Sequence, residues 1–160
     1  MSELRAGVGW DVHRLAAGRP LILGGVSIPS ELGLIGHSDA DVLAHAITDA
    51  LLGAAALGDI GLHFPDTDPR WAGADSLHFV RKACELVKAA GYSVVNIDST
   101  VLLERPKLKD YRTVMRERLA EALGLPVDRV SVKFKTAEGL GPVGESLAAE
   151  AQAIVTITRD

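Results

Sequence analysis

The chain has 160 residues, 48% hydrophobic and 24% charged, and its 17 lysines and arginines against 21 acidic residues leave a net charge of −4 at neutral pH. That length suits one domain with a core of its own, and the acidic balance with only 4% aromatics argues against a nucleic-acid surface. No apolar run approaches the roughly 18 residues of a membrane span, MSELRAGVGW lacks the pattern of a secretory signal, and Cys84 is the only cysteine, so a reducing cytoplasm and no membrane partner are expected.

RAGVGWDVHRL reads as the first strand. Its period of two places Asp11 and His13 on one face, with Trp10 and Val12 on the other. LILGGVSIP predicts a hairpin in which Gly24 and Gly25 supply the positive φ of a tight turn. HSDADVLAHAITDALLGAAALG predicts a helix capped by Ser38 or Asp39 and largely buried, since most of its circumference is apolar. DIGLHFPDTDPRWAGADS, rich in Gly, Pro and Asp, reads as a long loop, and loops of that length are usually functional.

A second helix over 76–90 carries Leu77, Val80, Cys84 and Val87 on one stripe, which makes Cys84 a core residue. SVVNIDSTVLL is a strand, and a third helix over 110–123 turns Tyr111, Val114, Met115, Leu119 and Ala122 inward. RVSVKFKT alternates apolar and polar residues, as a strand with one buried face does, and LAAEAQAIVTIT is the last strand. The expected fold is α+β: one domain over 1–160, a sandwich of a mixed β-sheet covered on one face by helices, with an N-terminal β-hairpin.

The buried helix carries Asp41, His45 and Asp49 at successive i+4 positions, a polar stripe on an apolar rod. Burying such groups without partners is costly, and the Asp11/His13 face is available to meet them. Two imidazoles and a carboxylate with one position left open form the pattern of a catalytic zinc site, which makes Asp11, His13 and His45 candidate ligands. The residues alone allow a second reading, in which His13 bonds a backbone carbonyl and His45 is a satisfied core histidine. The sequence holds no phosphate-loop, nucleophile-elbow or H-E-x-x-H motif. A metal or the substrate itself would therefore have to supply the reactive group.

DVH near the N-terminus, IGHSDADVLAHAITDALLGAAALGDIG, FPDTDP, the RPKL turn and TAEGLG together resemble the 2-C-methyl-D-erythritol 2,4-cyclodiphosphate synthases, essentially end to end. The resemblance implies a homotrimer with active sites between subunits. It implies conversion of 4-diphosphocytidyl-2-C-methyl-D-erythritol 2-phosphate to the cyclic diphosphate with release of CMP, in the non-mevalonate route to isoprenoid precursors. It makes Asp11, His13 and His45 ligands of one zinc per subunit, and it gives Glu138 a magnesium or manganese ion held with the substrate diphosphate.

On the same resemblance His37 and Ser38 contact substrate phosphate at the start of the buried helix, where free N–H groups would help. His37, Ser38, Lys107 and Glu138 form the expected catalytic set. Asp59 and Gly61 would hold the ribose, and Ile60, Phe64 and Asp66 the methylerythritol. Pro106, Lys107, Leu108, Lys135 and Thr136 would cradle the cytosine and diphosphate. Apart from the resemblance, Asp49 reads as either a support for a metal-bound histidine or a packing partner. The chain departs from the family in a shorter stretch after Gly141, PVGESL, which lacks an Arg, and in Ala137 where a hydroxyl residue is common. A trimeric metabolite-binding module with a structural metal is the alternative, and CMP release separates the two.

Overall fold

In the computed structural model, which describes residues 2–160, strand β1 runs from Glu3 to Ala17 and alternates in exposure residue by residue. Gly7 and Gly9 share a face with Asp11 and His13, and Val8, Trp10 and Val12 lie on the other. β1 pairs antiparallel with the last strand, β7 (Ala148–Arg159), from Glu3↔Arg159 to Arg14↔Ala148. Beyond that, Leu15↔Leu34 joins it to a short strand, β4 (Leu32–Leu34), which the sequence does not signal.

β5 (Ser93–Leu102) lies beside β7 antiparallel and beside β6 (Val130–Lys135) parallel, so the five-stranded sheet is mixed, in the order β4-β1-β7-β5-β6. β2 (Leu21–Leu23) and β3 (Val26–Ile28) form a separate two-stranded sheet. Its turn residues Gly24 and Gly25 have φ of 57° and 73°, the doubly positive conformation that glycine enters without strain.

Helix α1 (Val42–Ala54) lies against the inner face of the sheet, and its Val42, Leu43, Ile47 and Leu51 are fully buried. α3 (Leu77–Ala89) packs against it, and α4 (Arg112–Leu123) packs on α3 and β6, while a one-turn helix, α5 (Gly141–Gly144), precedes β7. The opposite face of the sheet is bare: Leu4, Val8 (72% exposed), Trp10 and Ile154 of neighbouring strands stand in solvent on a single chain. Among the described residues no helix is long and apolar enough to cross a membrane.

Several expectations are corrected in detail. α1 begins at Val42 and its cap is Asp41, not Ser38 or Asp39, because the Asp39 carboxylate is occupied in accepting from the Asp41 and Ser76 amides. The helix N-terminus is therefore filled by Asp41, whose Oδ1 accepts from Ala44 N at 3.0 Å, and it has moved away from Ser38 as a phosphate cradle. The long loop contains helix α2 (Ile60–His63) and a 3₁₀ turn at Pro69–Trp71; Asp59 and Asp68 cap them, accepting from Leu62 N and Arg70 N at 2.9 Å each. The third helix opens as a 3₁₀ turn over Lys109–Tyr111 and becomes α-helical at Arg112. Cys84 is partly buried against the core, and burial pushes its thiol up to about 12.

Candidate metal centre and substrate cleft

Asp11 and His13 project from the inner face of β1, one step beyond the glycines that let α1 approach, and His45 descends from the first turn of α1 to meet them. Asp11 Oδ2 lies 3.0 Å from His13 Nε2 and 3.1 Å from His45 Nδ1, and the two imidazole nitrogens are 3.1 Å apart.

The outer nitrogens decide what these three atoms carry. His13 Nδ1 lies 3.0 Å from the carbonyl oxygen of Ile35, which only accepts, so Nδ1 holds the proton and Nε2 offers a lone pair. His45 Nε2 lies 2.8 Å from Ser76 Oγ, and that hydroxyl donates to the Asp39 carboxylate, so Nε2 is again the protonated nitrogen and Nδ1 is bare. Two neutral imidazoles and a carboxylate thus aim lone pairs at one point. Such an arrangement demands a cation, and the three residues form a group able to hold a metal ion.

The charges agree with this reading. Burial raises the Asp11 carboxyl, but the imidazoles beside it prevail and hold it at about 2. Burial lowers His13, and its contact with Asp11 outweighs that and raises it.

The rest of the predicted stripe does not join the site. Asp41 is fully buried and accepts from Gly24 N and Gly25 N at 3.0 and 2.7 Å, pinning the β2–β3 turn to α1. Asp49 accepts from Ile60 N at 2.7 Å and so anchors the start of α2, the packing role of the two read for it.

The cluster forms the floor of a cleft of about 410 Å³ whose lining includes His37, Ser38, Ile60, Gly61, Phe64 and Asp66. Asp59 is the α2 cap and is not among the residues that line it. Pro106, Lys107, Leu108, Lys135 and Thr136 line a second cleft of about 280 Å³ that shares no residue with the first. Leu108, which lines that cleft, is itself buried in the core. Glu138 follows β6 on an exposed turn, outside the Asp11/His13/His45 group, with Thr136 Oγ1 3.5 Å from its carboxylate.

A family model described as the YgbB family matches residues 4–158. The chain belongs to the YgbB family. A relative from Solibacter usitatus, a 2-C-methyl-D-erythritol 2,4-cyclodiphosphate synthase, is 70% identical over 159 residues, covering 99% of this chain and 100% of the relative. The bifunctional IspDF of Campylobacter jejuni superposes with a TM-score of 0.96 at 41% identity, over all of this chain and 43% of that protein. IspF of Plasmodium falciparum, in a CDP complex, superposes with a TM-score of 0.86 at 32% identity over 98% of this chain and 97% of that one.

Within this YgbB-family cleft, sequence reasoning missed Trp71 and Phe79. Phe64 packs on Phe79 with ring centroids 4.7 Å apart, and Trp71 meets both edge-on at 5.5 and 5.6 Å. For Trp71 the signal was an aromatic residue just after FPDTDP, in a segment whose other site residues rest on the resemblance alone. Also missed were Lys109, Arg112 and Phe134 beside the second cleft, where the Arg112 guanidinium lies 5.0 Å from the Phe134 ring centre.

Proposed function

We propose that the chain is a 2-C-methyl-D-erythritol 2,4-cyclodiphosphate synthase of the non-mevalonate isoprenoid pathway, with zinc on Asp11, His13 and His45. In the reaction an oxygen of the substrate 2-phosphate attacks the β-phosphorus of its own cytidine diphosphate, the bond from that phosphorus to the bridging oxygen breaks, and CMP leaves. The attacking group belongs to the substrate, so the protein supplies positioning and charge neutralisation, the main needs of phosphoryl transfer. The observation that carries the reading is the convergence of three proton-free donor atoms at the floor of the first cleft.

When bound, zinc acts as a Lewis acid on phosphoryl oxygen, and a magnesium or manganese ion at Glu138 neutralises the diphosphate. His37 donates from Nε2 to the Asp68 carbonyl at 2.9 Å, which fixes its ring at the mouth of the cleft, where with Ser38 it meets phosphate. Ile60, Gly61, Phe64 and Asp66 hold the methylerythritol part, with Asp59 toward the ribose. Pro106, Lys107, Leu108, Lys135 and Thr136 take the cytidine diphosphate. Glu138 has a φ of 54°, a conformation disfavoured for a glutamate, and strain of that kind clusters at functional positions.

The site is completed in a homotrimer, in which the first cleft of one subunit faces the second cleft of its neighbour. Two observations support this: the clefts are separate on one chain, and the outer sheet face leaves large apolar side chains bare. The test is CMP release from the diphosphocytidyl substrate by the purified protein, before and after zinc is stripped and restored. Activity that disappears and returns supports the reading; a protein that binds the nucleotide without releasing CMP is a binding module instead.

A further inference from the structure

Ser76 opens α3, yet its hydroxyl does no capping there. The amide of Leu77 is served by Asp75 Oδ1 at 2.9 Å, and Ser76 is fully buried with its Oγ turned toward the metal cluster. Its carboxylate partner fixes where the hydroxyl proton goes, and Ser38 Oγ lies farther off, 3.3 Å from Ser76 Oγ. Asp39 takes the Ser76 hydroxyl proton on Oδ1 and the Ser76 amide on Oδ2 at 3.0 Å. The oxygen of Ser76 is then left with lone pairs only, and the nearest group able to give it a proton is His45 Nε2 at 2.8 Å. Ser38 Oγ lies farther from the same nitrogen, at 3.1 Å, and accepts from Ala40 N at 3.3 Å.

We propose that Asp39 and Ser76 form a positioning relay, Asp39 carboxylate to Ser76 hydroxyl to His45 imidazole, which locks His45 in its Nε2–H tautomer and presents Nδ1 to the metal. The inference rests on the metal reading of Asp11, His13 and His45. An acceptor on the far nitrogen of a metal-bound histidine orients the ring and raises the basicity of the ligand nitrogen. Here that acceptor is a serine whose own proton is drawn off by a carboxylate. Its effect approaches that of a carboxylate on the histidine itself, with the charge kept one residue away from the cluster. The relay also ties the centre to the loop over 59–75, because the Asp39 amide donates to Ala74 O at 3.0 Å and Gly73 N to His37 O at 2.8 Å. The residues that line the cleft and the residue that aims the metal ligand are thus held by one strap.

The test is zinc affinity by chelator competition on the full chain, for wild type, Ser76→Ala, Asp39→Asn and the double variant. Ser76→Ala removes one oxygen and leaves the Ser76 amide to Asp39 in place, so the metal-free melting temperature should stay near wild type. Its zinc affinity should fall about 10- to 100-fold, the usual loss for such a partner. Asp39→Asn should weaken zinc in the same direction, and the double variant should lose no more zinc affinity than the larger single loss, since both act through one chain of bonds. In the cobalt-loaded protein the exchangeable Nε2–H proton of His45 should swap with solvent faster in Ser76→Ala, a change that a merely structural serine would not produce. Wild-type zinc affinity in Ser76→Ala overturns the relay alone, whereas wild-type protein that takes up no metal overturns the relay and the metal reading together.

Discussion

Gly9 and Ala46 are in direct backbone contact: a Cβ built on Gly9 would stand 1.8 Å from the Ala46 carbonyl oxygen. Gly7 meets Ala50 O in the same way, at 2.1 Å. The two glycines set how closely α1 lies on β1, and that spacing brings His45 to Asp11 and His13. Gly9→Ala must therefore push the helix outward. Overpacking of this kind costs about 1–3 kcal/mol, and the displacement should also separate the metal ligands. The expected outcome is a lower melting temperature together with weakened zinc binding, measured on one sample; a variant that loses stability with zinc affinity intact would refute the link between them.

His45→Ala removes one of three ligands from an open site and should abolish zinc retention and CMP release together. Metal that binds only the folded chain stabilises it, by about 2.7 kcal/mol at a hundredfold excess over the dissociation constant. A chelator should accordingly lower the melting temperature of wild type and leave that of His45→Ala unmoved, which calorimetry would show.

Glu138→Gln substitutes a neutral amide for a hard anionic ligand while keeping its size. Zinc content should remain at wild-type level, and the magnesium or manganese concentration needed for half-maximal CMP release should rise at least tenfold. An unchanged requirement would take Glu138 out of the metal role.

Burial of Asp41 holds its carboxyl up at about 6, against three amide donors that lower it and an ordinary value of 3.8. Between those values the folded chain keeps a proton that the unfolded chain has released. Stability from this group is therefore full below about pH 4, declines as pH rises to about 6, and is level above that, a change on the order of 3 kcal/mol. Asp41→Asn cannot titrate, and its amide nitrogen would face the Gly25 amide, so it is the less stable protein. Its deficit against wild type in urea unfolding should narrow from pH 4 to 7. A deficit that widens would mean the amide donors prevail over burial.

Subunit mixing tests the shared site. His45→Ala and Lys107→Ala, each nearly inactive, are unfolded and reassembled together in equal amounts. In the proposed trimer each interface would draw its zinc side and its cytidine side from different chains, so about a quarter of interfaces would be intact on both sides. Activity should return to roughly that fraction of wild type, with a tagged subunit proving exchange. Activity no higher than either variant alone, despite proven mixing, would place each site within one chain.

Much of this was legible in the sequence because it depends on local periodicity. The alternation in β1 puts Asp11 and His13 together, and the i+4 helix spacing brings His45 to the same side. Less legible was which member of the polar stripe would meet them. Asp41 and Asp49 obey the same spacing, but one is claimed by the Gly24 and Gly25 amides and the other by Ile60, partners set by tertiary structure. The aspartates of the long loop look like turn residues from composition alone. Only the fold reveals that Asp59 and Asp68 cap short helical turns, and that Trp71 turns back onto Phe79. Ser76 was read as a helix start, and nothing in the order of residues announces that its hydroxyl faces His45.

The alternation of β1 also constrains how this protein can change over generations. One strand writes two messages in alternating letters, the geometry of the Asp11/His13 pair on the odd residues and an exposed apolar face on the even ones. Single substitutions can edit either message and leave the other intact. An insertion or deletion of one residue between Gly7 and His13 would transpose them, sending the carboxylate and imidazole to the outer face and Val12 toward the His45 cluster. Lineages should therefore tolerate length variation freely in the turns after β1 and almost never within it, and libraries that diversify only even or only odd positions should retain folded members where shifted ones do not.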